Sequence, residues 1–281
     1  KHNAQVAAAY LSYIFTAGKW AARAGLRYEF TRMKASYPDG SNADYHANLN
    51  DWVPSASLQY KISDSQTLKF SYNTSINRPG IGYLNPAIIS TPTAVSFGNA
   101  NLGSSRNQKL QLVYMLVTSK LTLQLSPYYS FTNNGIGRIL YEQNRKDVST
   151  YQNVLKSKDF GISSYTEWTP FTGTSFTLNA SMRYARITLP TPSIKNSGCG
   201  GGIYFNWEQK IPWELTLTTS IGGEYGNRIY DPYAIEGHWF YYDFTLTRRF
   251  FKDKLTVSIS AESPFIKERS STYRIVRGDY T

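Results

Sequence analysis

The sequence has 281 residues, enough for one large domain or two smaller ones with a sizeable core. Aromatic residues make up 15% of it, the mean hydropathy is −0.41, and no run of about 18 apolar residues offers a transmembrane helix. The net charge is +11, but the basic residues are scattered singly and form no nucleic-acid-binding motif, so no nucleic-acid partner is predicted. A membrane protein built from strands stays possible, because its apolar and polar faces average to a hydrophilic mean.

The first clear element covers residues 20–33, where large apolar side chains alternate with small or polar ones. Trp20, Leu26 and Tyr28 stand at even positions, and Arg23 and Arg27 stand at odd ones. A period of two is typical of a β-strand whose two faces meet different surroundings. This strand is much longer than the usual 5 to 6 residues of soluble domains, so its length also needs an explanation.

The same alternation returns along the whole chain. It is clearest in residues 67–73, 121–131, 175–184 and 255–262. About a dozen such segments are present, and many are near the 9 to 11 residues that a tilted transmembrane strand requires. The pattern therefore predicts an all-β protein with about 12 strands.

The connections between these strands alternate in length. Short turns are predicted at residues 16–19, 63–66, 117–120, 170–173, 210–213 and 251–254. Long connections are predicted at residues 34–52, 76–108, 132–155, 188–197, 226–237 and after Ser263. In an antiparallel meander this places all short turns at one end, which is typical of an up-and-down transmembrane β-barrel. A soluble β-sandwich also alternates, but polarised connections of this kind are uncommon in that class.

The two faces of the predicted barrel follow from the alternation. Aromatic residues expected to form a girdle beside the short turns are Trp20, Tyr60, Trp168, Trp213, Phe250 and Phe251. Side chains expected to face lipid include Leu178, Leu217 and Val257. Arg23, Arg27 and Arg183 are expected to face the lumen, where they would attract anionic solutes or pair with carboxylates.

One connection carries a more specific pattern. Residues 73–112 contain "NRP", then "LNP", then "GN-NL", followed by polar residues that lead into a strand. This order resembles the barrel of TonB-dependent receptors, in particular the outer-membrane β-barrel family common in Bacteroidetes-type bacteria. Two departures are Ala100, where the family usually has proline, and "GSSRNQ", where it usually has a Lys-Pro-Glu-like run.

The resemblance implies a location, a function and partners. It implies the bacterial outer membrane and an active-transport receptor for a scarce nutrient such as a siderophore, cofactor, glycan or peptide. The expected partners are outer-membrane lipid, the plug domain of the same full-length chain and the TonB complex. The resemblance also implies that residues 1–281 form one transmembrane segment of a barrel with about 22 strands, without its plug domain and closing strand.

The barrel hypothesis makes a prediction about the outer edges of the first and last strands. A small barrel that closes on itself would pair residues 7–11 with residues 257–261. One part of a larger barrel would show no ladder there. A complete small passive channel is the main alternative function.

Candidate ligand-binding residues come from the long connections. They are Trp52, Tyr83, Asn85, Asn99 and Asn101. Their aromatic rings and amides could stack on a nutrient or form hydrogen bonds with it, although such residues also serve simply to pack a loop. The sequence therefore predicts a binding surface at the end of the barrel that carries the long connections.

The sequence shows little sign of catalysis or metal binding. It has three histidines, His2, His46 and His238, without ligand spacing, and it lacks the metal, nucleotide and redox motifs that short patterns reveal. An outer-membrane phospholipase is a second alternative, but the His-x-Ser pattern of such barrels is absent. Residues 39–51 offer oxygen ligands without the EF-hand order, and a solvated polar loop is predicted there. No enzyme activity, cofactor or metal is expected.

Overall fold

The computed structural model describes residues 2–36, 44–190, 193–266 and 273–275. These residues form β1 (His2–Ala17), β2 (Trp20–Ala35), β3 (Tyr45–Lys61), β4 (Gln66–Asn77), α1 (Ile81–Leu84), β5 (Ile89–Ser90), β6 (Ala94–Ser96), β7 (Ser105–Val117), β8 (Leu121–Gln143), β9 (Lys146–Trp168), β10 (Thr174–Leu189), β11 (Ile194–Ile211), β12 (Leu215–Gly226), β13 (Arg228–Asp231), β14 (Ala234–Glu236), β15 (Trp239–Phe250), β16 (Leu255–Glu262) and β17 (Tyr273–Ile275). No helix within these ranges is both long and apolar enough to cross a membrane.

Twelve long strands form one antiparallel sheet that follows the order of the chain. The order is β1-β2-β3-β4-β7-β8-β9-β10-β11-β12-β15-β16. The remaining short strands belong to connections: β6 pairs with β5 and, in parallel, with β9, whereas β14 pairs with β13 and β17. The predicted all-β meander of about twelve strands is confirmed.

The sheet is open within the described residues. There, β1 pairs with β2 alone and β16 pairs with β15 alone. No ladder joins residues 7–11 to residues 257–261 in this part of the chain.

The structure confirms the predicted short turns but corrects two of the predicted long connections, those at residues 132–155 and 188–197. In the second, β10 ends at Leu189 and β11 begins at Ile194, so most of the predicted loop belongs to strands. Residues 132–155 are not a loop, because β8 and β9 continue as a hairpin of two 23-residue strands closed by a tight turn. Both turn residues, Asn144 and Arg145, have positive φ, as in the turns that suit hairpins. The period-two pattern is broken there by a bulge around Gly135, which is why the sequence suggested a loop.

The first long connection is also shorter than expected. β3 begins at Tyr45, so the second half of the predicted loop at 34–52 belongs to a strand. Residues 37–43, which include the start of the predicted polar loop at 39–51, lie outside the described residues. So do residues 267–272 and 276–281 of the long segment predicted after Ser263.

The register of the sheet separates two faces. Residues that pair directly across antiparallel strands point to the same side, so a row can be followed from strand to strand. One such row consists of Arg23, Ser57, Ser71, Gln111, Tyr128, Gly161, Arg183 and Gly200. Leu178, Leu217 and Val257 share the opposite face with large apolar side chains. We call these the polar face and the apolar face.

The buried apolar core lies where two connections fold over the polar face. The first is the β4–β7 connection, residues 78–104, and its packed residues are Leu84 and Leu102 against Met33, Ala47 and Leu49. The second is the β13–β14 hairpin, residues 228–236, and its packed residues are Ile229 and Ile235 against Ala185 and Ile187. Both connections therefore cover the polar face near the end of the sheet that carries the long connections.

Candidate functional site

The β4–β7 connection is shaped by contacts between its own motifs. The backbone N–H of Gly98 donates to the carbonyl of Asn85 at 2.8 Å, and that of Asn99 donates to the carbonyl of Tyr83 at 2.6 Å. A Cβ atom on Gly98 would lie 2.4 Å from the Asn85 oxygen and 2.6 Å from the Tyr83 oxygen. The glycine of the "GN-NL" motif is therefore needed for the close approach to "LNP".

Asparagines then fasten this connection to β9. The side-chain amide of Asn99 donates to the carbonyl of Tyr151 at 2.9 Å, and the rings of Tyr83 and Tyr151 lie 4.3 Å apart. Asn153 accepts from the N–H of Gly103 at 2.8 Å and donates to its carbonyl at 3.0 Å. These contacts hold the connection against β9.

Two buried carboxylates stand opposite each other beneath the β4–β7 connection. Glu29 of β2 pairs with Asp51 of β3 in the register, and both are almost fully buried on the polar face. Like charges directly opposite repel, so they need counterions or donors. Glu29 forms ion pairs with Arg27, Nε to Oε1 at 2.5 Å, and with Arg78 of the "NRP" motif. Ser104 donates to Asp51 at 2.6 Å.

A second charged site lies beneath the β13–β14 hairpin. Arg183 of β10 places its Nε 2.9 Å from Oδ1 of Asp159 on β9 and donates from Nη2 to the carbonyl of Ile229. Its guanidinium also stands over the ring of Tyr230, 4.5 Å from the centroid. One arginine therefore joins a strand carboxylate to the backbone and an aromatic ring of the hairpin.

Arg228 extends this site toward β12. It forms ion pairs with Glu224 and, at 3.4 Å, with Glu236. Glu224 also accepts from the hydroxyl of Tyr204 and from the indole N–H of Trp239, each at 3.0 Å. A cavity of about 260 Å³ opens here; its polar lining includes Tyr128, Arg183, Glu224, Asn227, Arg228 and Tyr230. The arrangement offers positive, negative and aromatic groups to a solute.

The structure brings some of the predicted ligand-binding residues together and separates one of them. Tyr83, Asn85 and Asn99 meet within the β4–β7 connection, and Asn101 is exposed in the same segment. The amides of Asn85 and Asn99 already take part in local hydrogen bonds. Trp52 lies inside β3 on the apolar face and not in a connection.

The three predicted arginines share the polar face but differ in their surroundings. Arg183 is bound to Asp159, and Arg27 is bound to Glu29. Arg23 lies in the same row as Arg183 and, within the described ranges, forms no ion pair. The face therefore carries both neutralised and free positive charge.

The sequence analysis missed the acidic members of both sites. They are Glu29, Asp51, Asp159 and Glu224. The available signal was their position, because each stands at a polar-face position of a strand close to a long connection. Charged residues at such positions are costly unless they are paired, and this cost points to a specific partner.

Several solved structures with a similar fold are transporters or receptors. The FrpB iron transporter from Neisseria meningitidis aligns with a TM-score of 0.66 and 13% identity over 98% of this chain and 42% of that one. The siderophore receptor PirA from Pseudomonas aeruginosa gives 0.67 and 12% over 98% and 56%. The ferric yersiniabactin uptake receptor FyuA from Yersinia pestis gives 0.64 and 15% over 98% and 44%. This chain thus spans about half the length of each.

The sequence comparisons agree with this fold. No curated protein matches the chain. The sequence profile of the outer membrane protein beta-barrel family, however, matches residues 1–281, the whole sequence. The two-faced antiparallel meander, its short turns and its placement in the bacterial outer membrane have a common explanation: the chain belongs to the outer membrane protein beta-barrel family.

Proposed function

We propose that this chain is the barrel portion of a TonB-dependent receptor that actively takes up a scarce nutrient across the outer membrane. The observation that carries the proposal is the packing of two long connections onto the polar face, where they cover Glu29 and Arg183 and bring the ring of Tyr230 against the guanidinium of Arg183. Connections packed onto the polar face narrow the lumen, which suits a plugged receptor better than an open pore. The fold shared with iron transporters and siderophore receptors supports the same function.

In this proposal the polar face lines the lumen and the apolar face meets lipid. The plug domain of the full-length chain would occupy the lumen, where the free guanidinium of Arg23 is available to its carboxylates. The β4–β7 connection and the β13–β14 hairpin would narrow the mouth on the extracellular side. Solute would bind there first and would pass only when the TonB complex acts on the plug.

The exposed polar groups of the connections are the proposed first contacts of the nutrient. Tyr83 and Asn101 offer a ring and an amide at the surface, whereas Asn85 and Asn99 hold the loop that presents them. Trp52 is proposed as a contact only for a ligand that reaches the outer rim, because it lies on the apolar face. Siderophores, cofactors, glycans and peptides all suit such groups.

The test measures whether uptake needs energy. Cells that express the full-length protein are given labelled probes, namely a ferric siderophore, cobalamin, a maltooligosaccharide and an oligopeptide, with and without an intact TonB complex. We expect uptake of one probe to fall to background without the complex. Uptake that persists equally in its absence would contradict the receptor and support the passive channel.

A second measurement separates the same alternatives without knowledge of the nutrient. The full-length protein is inserted into planar bilayers, and its steady conductance is recorded. A plugged receptor should show no steady conductance, whereas a passive channel should conduct with no energy source. Continuous conductance would overturn the proposal.

A further inference from the structure

Four basic residues form a compact patch on the apolar face. Lys156 and Lys158 lie in β9, Arg186 lies in β10 and Lys195 lies in β11. Lys158 is directly opposite Arg186, and Thr188 is directly opposite both Lys156 and Lys195. Cross-strand neighbours on one face lie about 4.5 to 5.5 Å apart at Cβ, so the four charges share a small area. We call these four residues the basic patch.

The basic patch has no counterion in the described part of the chain. All four side chains are exposed, and none of them forms an ion pair or a side-chain hydrogen bond with a described residue. The side chain of Phe131 lies opposite Lys158, and Phe160 follows on the same face of β9. Four like charges that share a small area repel one another, so a bound anion would stabilise the patch.

The height of the basic patch in the membrane follows from the strand length. Trp168 and Phe176 form a stacked aromatic pair beside a short turn, with ring centroids 5.6 Å apart. Lys158 and Arg186 are each ten residues further along the same strands. Ten residues span about 33 Å along a strand. When the strand is tilted by about 40°, they rise about 25 Å along the membrane normal, which equals the height of the apolar band of such barrels. The patch therefore lies at the opposite interface.

A second group of basic side chains repeats this placement on β2, the neighbour of the edge strand β1. Arg32 and Lys34 of β2 lie on the apolar face twelve and fourteen residues beyond Trp20, and Lys34 is directly opposite His46. All three side chains are exposed. Basic residues on the lipid-facing side of the wall thus mark the same interface at two separate places.

We propose that the basic patch binds the phosphate groups of lipid headgroups in the leaflet on the side of the long connections. The guanidinium of Arg186 can bind a phosphate through two parallel hydrogen bonds, and the three ammonium groups supply further charge. Phe160 and Tyr184, directly below and opposite each other, would contact the acyl chains. A phosphorylated lipid matches both the charge and the depth of this surface, whereas a soluble protein partner matches only the charge.

The test uses the full-length protein in phosphatidylcholine nanodiscs that contain the diphosphorylated glycolipid lipid A. The amount of bound lipid A is measured by native mass spectrometry as its concentration is raised. We expect the variant Lys158→Gln/Arg186→Gln to bind lipid A about thirtyfold more weakly, since each basic residue near a lipid surface contributes about fivefold. The control Lys252→Gln/Lys254→Gln removes two charges at a short turn and should change binding less than twofold.

Further measurements identify the source of the phosphate, and a substitute variant serves if the double variant misfolds. Dephosphorylated lipid A should bind the unaltered protein no better than the double variant binds lipid A. Three results would each overturn the proposal. The first is an equal loss of lipid A binding in the double variant and in the control, and the second is equal binding of lipid A and dephosphorylated lipid A to the unaltered protein. The third is saturation of the basic patch by free inorganic phosphate at millimolar concentration. If the double variant does not fold, Lys195→Gln serves instead, with an expected loss of about fivefold.

Discussion

The guanidinium of Arg183 and the carboxylate of Asp159 form an ion pair across neighbouring strands, with Nε 2.9 Å from Oδ1. Both side chains are partly buried, because the β13–β14 hairpin covers them. The same guanidinium reaches the carbonyl of Ile229 and the ring of Tyr230 in that hairpin. The pair therefore links the wall of the sheet to the connection that folds over it.

Removal of this arginine should release the hairpin. Arg183→Ala leaves Asp159 without its counterion and deletes the contacts to Ile229 and Tyr230, so we expect a loss of about 2 kcal/mol in the free energy of unfolding. The measurement is urea unfolding of the full-length protein in phospholipid vesicles. Arg23→Ala is the matched control, because Arg23 stands in the same row without an ion pair in the described structure, and its loss should be below about 0.5 kcal/mol. Equal effects would contradict this role.

Two glycines of the β4–β7 connection should respond differently to the same substitution. Gly98→Ala places a Cβ atom within 2.6 Å of two backbone oxygens that cannot move independently, so we expect a cost of about 1 to 3 kcal/mol. Gly82→Ala meets no atom within 4 Å and should be nearly neutral. Proteolysis within residues 78–104, followed by mass spectrometry, should be faster for the first variant alone. Similar cleavage of both variants would show that the close approach does not shape the connection.

Tyr233 should make the docking of the β13–β14 hairpin sensitive to alkaline pH. Its hydroxyl donates to the carbonyl of Arg138 at 2.7 Å, and burial, followed by the charge of Asp231, raises the pKa of this tyrosine. The released state loses its proton first, near the ordinary pKa of about 10, while the docked state keeps it. Docking is thus fully stabilised below pH of about 10 and weakens as the pH rises through the raised pKa.

The variant Tyr233→Phe isolates this effect from the other tyrosines. We expect it to be less stable than the unaltered protein at pH 8 and to approach it as the pH rises toward 12. Thermal unfolding midpoints of both proteins across this range provide the measurement. A difference that is independent of pH would rule out the hydroxyl as the titrating group.

A charge on the apolar face should cost far more than a charge on the polar face. Met182 is near the middle of β10 on the apolar face, and Ser181 is its neighbour on the polar face. Met182→Arg should lower stability in vesicles by about 2 to 4 kcal/mol, because the guanidinium enters the centre of the bilayer. Ser181→Arg should cost less than half of that. The reverse order would show that the two faces have been assigned the wrong way round.

The wall of the sheet could be predicted from the sequence because its physical cause is local. The alternation of side chains in β2 and β10 predicts which of them meet lipid. Short turns, such as the one at Gly18, mark where strands end. The tall β8–β9 hairpin could not be predicted in the same way. Beyond the membrane both faces of a strand meet water or connections, so the alternation that identifies a membrane strand is lost near Gly135.

The charged sites depended on contacts that no local pattern reveals. Glu29 and Arg78 are far apart in the sequence, and only the fold of the β4–β7 connection brings them together. The resemblance identified the motif that contains Arg78, and the structure shows that it neutralises a buried carboxylate. The ligand-binding roles of Tyr83 and Asn101 stay predictions, because they depend on a solute and not on the chain.

The order of the strands has a consequence for how the wall assembles. Each long strand lies beside its neighbours in the sequence, and even the largest insertion, residues 78–104, separates strands that pair with each other. The entropic cost of loop closure is therefore small at every step. Each new hairpin pairs with a strand that has already formed at the edge of the sheet. Such a sheet can enter a bilayer progressively, one hairpin after another, with only its first strand and its most recently added strand leaving an edge unpaired at any moment.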